Sequence, residues 1–432
     1  MYSSITRIIF LLCFLIALQQ SQAYPLFGSE ETGIRRLEAA RLIQQGQVRG
    51  TKQPPGALLS IDEVDIRLSD RKNMELPEID ETFTKKIRRF LHGNRSRYSI
   101  SVLDLSDPDH PRYAEYNGNH RRNPGSVGKI IVATGLFQAL AYAYPDDLEA
   151  RKRVLHDTVV TADQFIISDH HKVRFWDPEK NRVRHRPLRI GDQGSLWEYL
   201  DWMLSASSNA AASMVLKQAM LLRHFGKEYP VSDEVADQFF SETPKKELTE
   251  LLAETIQAPL IRNGLDIEKL RQGSFFTRKG KQLVPGTNSY GTTRELMNLM
   301  LKIEKGNLID DFSSREIKRL LYMTERRIRY ASHPALKDSA VYFKSGSLYK
   351  CGEDPDPDFI CEKYHGNVMN LMNSVAIIET PAGDHRLHYI VTMTSNILKV
   401  NSAVAHQTLA MRIHRLIEKM HPIVDADTAE AK

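Results

Sequence analysis

The sequence predicts an α/β fold of the α+β sandwich kind. An antiparallel sheet is formed by the N- and C-terminal parts of the chain and flanked by helices, with an all-α lobe between those parts. Three observations predict it. Strand-like alternation runs through residues 98–105, turns at Asp107-Pro-Asp109 and returns over 112–116. Alternation then resumes only after Ala340, in 341–343, 373–378 and 387–394, before an amphipathic helix over 403–420. Between them, helical spacing dominates 196–204, 210–222, 246–256 and 293–303. Strands at both ends of the chain share one sheet only if the helical block is an excursion from it.

Taken in order, Arg7 precedes an apolar run over 8–18, followed by small residues at Ser21 and Ala23. This reads as a secretory signal, residues 1–23, cleaved after Ala23. A bilayer span needs roughly 20 apolar residues, so the run is too short for an anchor. The expected product is secreted or periplasmic, with no stable membrane span after cleavage. Residues 24–79 contain the breaker cluster Thr51-Lys-Gln-Pro-Pro-Gly56 and a weakly patterned charged stretch, and read as an N-terminal extension or linker. Residues 80–421 read as the catalytic domain, with the all-α lobe at about 130–335 and a C-terminal tail over 422–432. A helix is expected at 83–91, and a strongly apolar one, buried on most sides, at 130–144.

The net charge of +5 and the pI near 8.9 describe a mildly basic surface. The densest basic clusters, 85–89 and 182–189, lack interleaved aromatics, and nucleic acid is excluded as a partner. After the signal, Cys351 and Cys361 remain, ten residues apart. An even pair in an exported chain reads as a disulfide, with free thiols as the alternative.

The chemistry concentrates in three places. Asn123-Pro-Gly-Ser-Val-Gly-Lys129 stands at the entrance to the apolar helix. Ser126 falls near the first helical position, and Lys129, three residues on, rises on the same face. A hydroxyl needs a base to attack at neutral pH, and a desolvated amine can serve. A phosphate loop would need glycine at Asn123 and Ser or Thr at Ile130, so that reading fails. Second, Ser205-Ala-Ser-Ser-Asn209 places Ser207 and Asn209 to project into one cleft. Third, Val341-Tyr-Phe-Lys344-Ser345-Gly346-Ser347 puts a cation for a substrate carboxylate on a strand, with Gly346 allowing close approach of a substrate backbone.

Ser-x-x-Lys, Ser-x-Asn and Lys-Ser-Gly, in this order, resemble the signature set of class A β-lactamases and the penicillin-recognising serine hydrolases. The likeness spans about Asp80 to Met420 and implies a β-lactamase/transpeptidase-like fold without a cofactor or metal. It implies Ser126 as nucleophile, Lys129 as base, Ser207 as proton relay and Asn209 as a holder of Lys129 and substrate. It further implies Lys344, Ser345, Gly346 and Ser347 as the substrate strand, and an oxyanion hole from the backbone N–H groups of Ser126 and Ser347. The implied substrate is a small β-lactam or a peptidoglycan-type peptide, and the implied setting a bacterial cell envelope.

Two departures bear on function. Ser208 stands where the family carries Asp, so the support of that loop must differ. The Glu-x-x-x-Asn loop that positions the deacylating water is absent from 265–288, where Glu268 is the only glutamate and is followed four positions on by Gln272. A D,D-peptidase, an esterase and a slowly deacylating penicillin-binding or sensor protein therefore stand beside a true β-lactamase. His170 and His171, with His156 and His185, lack a zinc-enzyme spacing and read as hydrogen-bonded residues lining the cleft region.

Overall fold

The computed structural model describes residues 28–91, 93–323 and 327–423. The expected signal segment lies outside these residues, as does most of the expected tail. The core is one five-stranded antiparallel sheet of β1 (Tyr98–Asp104), β2 (Arg112–Tyr116), β3 (Ala340–Lys350), β4 (Met369–Thr380) and β5 (Leu387–Asn396), ordered β2-β1-β5-β4-β3. The early hairpin thus pairs with the last strand, Tyr98 opposite Ser395 and Asp104 opposite Tyr389. β4 is buried along nearly its whole length because both sheet faces are covered. The C-terminal helix Ser402–Met420 and the helix Glu81–Arg89 cover one face, where Ile100, Val391 and Ile413 meet. The helical lobe covers the other.

At the centre of that lobe lies the helix Lys129–Ala143, entered through a 3-10 turn, Gly125–Gly128. The stretch Gly125–Ala143 is apolar and long enough to cross a membrane, yet it is 83% buried inside the protein. It packs against Asn209–Phe225, whose N-terminus is capped by the Ser208 hydroxyl. The lobe is helical as expected but also contains three two-stranded ribbons, the largest pairing Lys172–Asp177 with Arg182–Pro187. The basic cluster at 182–189 is one strand of that hairpin. Arg182, Arg184 and Arg186 share one face, and with only Val183 aliphatic on the other the alternation did not read as a strand.

Residues 28–79 are not the linker or surface arm that their composition predicts. They form a strap bound to the core. Ile34, Leu37, Leu59, Val64, Ile66 and Leu68 are all buried. Arg36 makes a bidentate pair with buried Asp201, and Arg67 reaches Glu379 of β4. Ile34 and Leu37 stand three apart at the start of the helix Arg35–Gln44, and Val64, Ile66 and Leu68 alternate, but both runs are short and the surfaces that bury them come from distant segments.

Glu379 belongs to a closed charge cluster. Lys318 Nζ lies 2.7 Å from both Glu304 and Glu379, all three fully buried, and donates to the strap carbonyl of Asp65. Glu304, Glu379 and His388 have the mutual spacing of metal ligands, but the Lys318 ammonium lies against both carboxylates. Burial alone would raise both acids, and Lys318 together with His388 and, at Glu379, Arg67 more than offsets it, holding them below their ordinary range.

Candidate active site

The turn before Ser126 is built by its own side chains. Asn123 Oδ1 accepts from the Gly125 N–H, and the Asn123 carbonyl accepts from Asn373 of β4. Gly125 takes a φ of +54°, a conformation that favours glycine. Opposite it, a methyl group added to Gly346 would stand 2.5 Å from both the Ser126 nitrogen and the Pro124 carbonyl. Gly346 was expected to admit a substrate backbone. Its first effect is to admit the serine turn, bringing the backbone of Ser126 against that of β3, where the Ser347 nitrogen faces Gly125.

Lys129 is fully buried, with Nζ 2.8 Å from Ser126 Oγ, 2.7 Å from Asn209 Oδ1 and 2.9 Å from the Ser207 carbonyl. Two of these partners can only accept, and the third is a hydroxyl able to donate. A neutral amine, with two N–H bonds and one lone pair, satisfies the set when its lone pair faces Ser126. The energetics agree. Burial, with a smaller push from Arg329, outweighs the opposing charge of Asp169 and lowers the Lys129 pKa to about 7. The Phe276 ring, its centre 4.8 Å from Nζ, closes another side.

Ser207 has a φ of +62°, which costs a non-glycine residue roughly 1–2 kcal/mol. The strain turns its carbonyl to Lys129 and its hydroxyl to Lys344, whose Nζ lies 2.8 Å from Ser207 Oγ. Burial drives the Lys344 pKa well below its usual value, with Lys129 and Arg329 adding repulsion. An anion arriving beside Lys344 would reverse that shift. The structure therefore brings Ser126, Lys129, Ser207, Asn209, Lys344, Ser345, Gly346 and Ser347 together around one cleft of about 760 Å³.

Sequence reasoning missed Arg329. It donates to Ser345 Oγ at 2.6 Å, Ser347 Oγ at 3.3 Å and Tyr364 Oη at 2.8 Å. Its only sequence signal is membership of the basic run Arg326-Arg-Ile-Arg329, which reads as surface. Lys172, Lys281 and Lys363 also line the cleft, and no carboxylate does so among the described residues. Glu268 stands outside it, bonded to Tyr290 Oη and 3.7 Å from Arg121. Gln272 lines the cleft but turns its amide N–H back to the Ser274 carbonyl. The cysteines are joined: Cys351 and Cys361 form a disulfide just beyond β3. His171 is at the cleft, whereas His156 pairs with Asp157 elsewhere on the lobe.

The amino-acid sequence matches the beta-lactamase enzyme family over residues 82–417. The chain belongs to that family. No curated protein sequence matches it. Among solved structures it is similar to a beta-lactamase from Chitinophaga pinensis, at 15% identity and a TM-score of 0.49, over 79% of this chain and 100% of that one. A beta-lactamase from Sphaerobacter thermophilus gives 13% and 0.49, over 80% and 100%, and PBP-A gives 14% and 0.48, also over 80% and 100%. Membership in the family makes the chain a β-lactamase-like serine hydrolase.

Proposed function

We propose that this β-lactamase-like hydrolase is an exported enzyme that opens the amide of a β-lactam, or of a peptidoglycan-type peptide, through an acyl-enzyme on Ser126. The observation that carries the reading is the contact set of Lys129: a buried amine with a pKa lowered to about 7, its Nζ 2.8 Å from the Ser126 hydroxyl and its two other partners oxygens that only accept. Ser126 Oγ attacks the carbonyl carbon as its proton passes to Lys129, and the N–H groups of Ser126 and Ser347 receive the oxyanion. Ser207, bonded to Lys344, returns a proton to the departing nitrogen. Lys344, Ser345 and Arg329 receive the substrate carboxylate, for which a bidentate guanidinium is well suited.

Slow release of the acyl group is the second part of this reading. Among the described residues no carboxylate lines the cleft to activate water, and the Phe276 ring covers one side of Lys129. Incubating the protein and Ser126→Ala with a chromogenic cephalosporin, while following intact mass, tests both parts. A persistent adduct on the wild type, absent from Ser126→Ala, is expected. Rapid turnover would overturn slow release, and neither turnover nor adduct would overturn the proposed substrate class.

A further inference from the structure

The family's usual acid is missing at position 208, yet the turn it would support lines the cleft and holds Ser207 at a strained φ of +62°. Another residue supplies the support. Asp169, from the loop ahead of the Lys172–Asp177 strand, has a side chain only 3% exposed. Its Oδ2 accepts from the Ser208 hydroxyl at 2.9 Å and from the Ala210 N–H at 2.8 Å, on either side of Asn209. Its Oδ1 faces the N–H groups of His170 and His171 and lies 2.6 Å from His171 Nδ1. One carboxylate thus clamps the turn that presents Ser207 and Asn209, and holds a ring that lines the cleft.

We propose that Asp169 is a positioning residue for acylation, supporting the Ser207–Asn209 turn from a separate loop and orienting His171 toward substrate at the rim. This rests on the reading that Ser126 is acylated. The carboxylate is well placed to hold the strained φ of Ser207, because it fixes the two residues that flank Asn209. Its contact with His171 leaves Nε2 as the ring's unused nitrogen, the one available to a substrate. The same charge reaches Lys129, where it opposes burial and the repulsion of Arg329.

Three variants test the inference: Asp169→Asn, Ser208→Asp, and the two combined. With a penicillin as acylating probe, Asp169→Asn is expected to slow formation of the Ser126 adduct by about 10- to 100-fold, since in either orientation an amide N–H would oppose a backbone donor, the Ala210 N–H on one side or the His170 and His171 N–H groups on the other. Ser208→Asp alone also slows it, by crowding a second carboxylate against Asp169. The combined variant keeps one carboxylate in the clamp and recovers to within about threefold of wild type, a rescue that general destabilisation would not give. The pH profile supplies a second readout. A neutral Lys129 is required, so the rate rises with pH through its pKa. Loss of the Asp169 charge moves that limb to lower pH, and the combined variant moves it back. Additive losses without rescue, or an unmoved limb, would overturn the proposal. If the wild type forms no adduct, the acylation reading fails by itself. Crystal structures of wild type and Asp169→Asn then decide: a displaced turn with the Lys344–Ser207 contact broken supports the clamp, and an unmoved turn overturns it.

Discussion

Lys129 and Lys318 are both lysines with no solvent exposure, and they do opposite work. Lys318 sits between two carboxylates at 2.7 Å, with the strap's Asp65 carbonyl as a further acceptor. Lys129 sits among a hydroxyl, an amide oxygen and a peptide oxygen, with no carboxylate in contact. Burial penalises the ammonium equally in kind at the two sites. Only the partners decide whether the lysine becomes a staple or a base. Carboxylates compensate the charge and join the strap, the helix Asp311–Tyr322 and β4. Neutral oxygens leave the penalty standing, and the Lys129 pKa falls to about 7, as the proposed acylation of Ser126 requires.

The comparison breaks most visibly at Lys129. Lys129→Met should lower the rate of Ser126 acylation by about 10²- to 10⁴-fold, the range for loss of a general base. Intact-mass kinetics would record this, and an unchanged rate would remove Lys129 from the chemistry. Lys318→Met should do the reverse, costing about 3–5 kcal/mol of stability because two buried carboxylates lose the ammonium between them and only Arg67, at Glu379, remains as a fixed positive charge. Urea unfolding would measure it, and a loss below 1 kcal/mol would show that the cluster is no staple. Smaller still, Glu268→Gln should leave both acylation and release within about twofold of wild type, since the residue is an exposed partner of Tyr290 and Arg121. A marked fall in release would make Glu268 the missing base.

The two lysines also show which parts of the molecule were legible in sequence. Lys129 was found because it is three residues from Ser126, and local spacing on a helix is readable. Ser207, Asn209 and Lys344 followed because motif order is preserved along the chain, and the early hairpin and late strands met in one sheet because their alternation is clean. Lys318 carried no such signal; its partners Glu304 and Glu379 are 14 and 61 residues away. Arg329 was hidden in a basic run, and Asp169 appeared only as a neighbour of paired histidines. The strap was misread for the same reason. The alternation of its buried Val64, Ile66 and Leu68 is too brief to mark a strand, and the surface that buries them comes from elsewhere in the chain. In each case the decisive partner came from a distant segment.

The claim that Ser126 is served by a neutral amine has a direct test that needs no substrate. Lysine labelled with ¹³C at Cε, with the Lys129 resonance assigned through Lys129→Arg, can be titrated by NMR in the folded protein. The account predicts that this resonance titrates near pH 7. A midpoint near the ordinary lysine value of about 10.4 would contradict it.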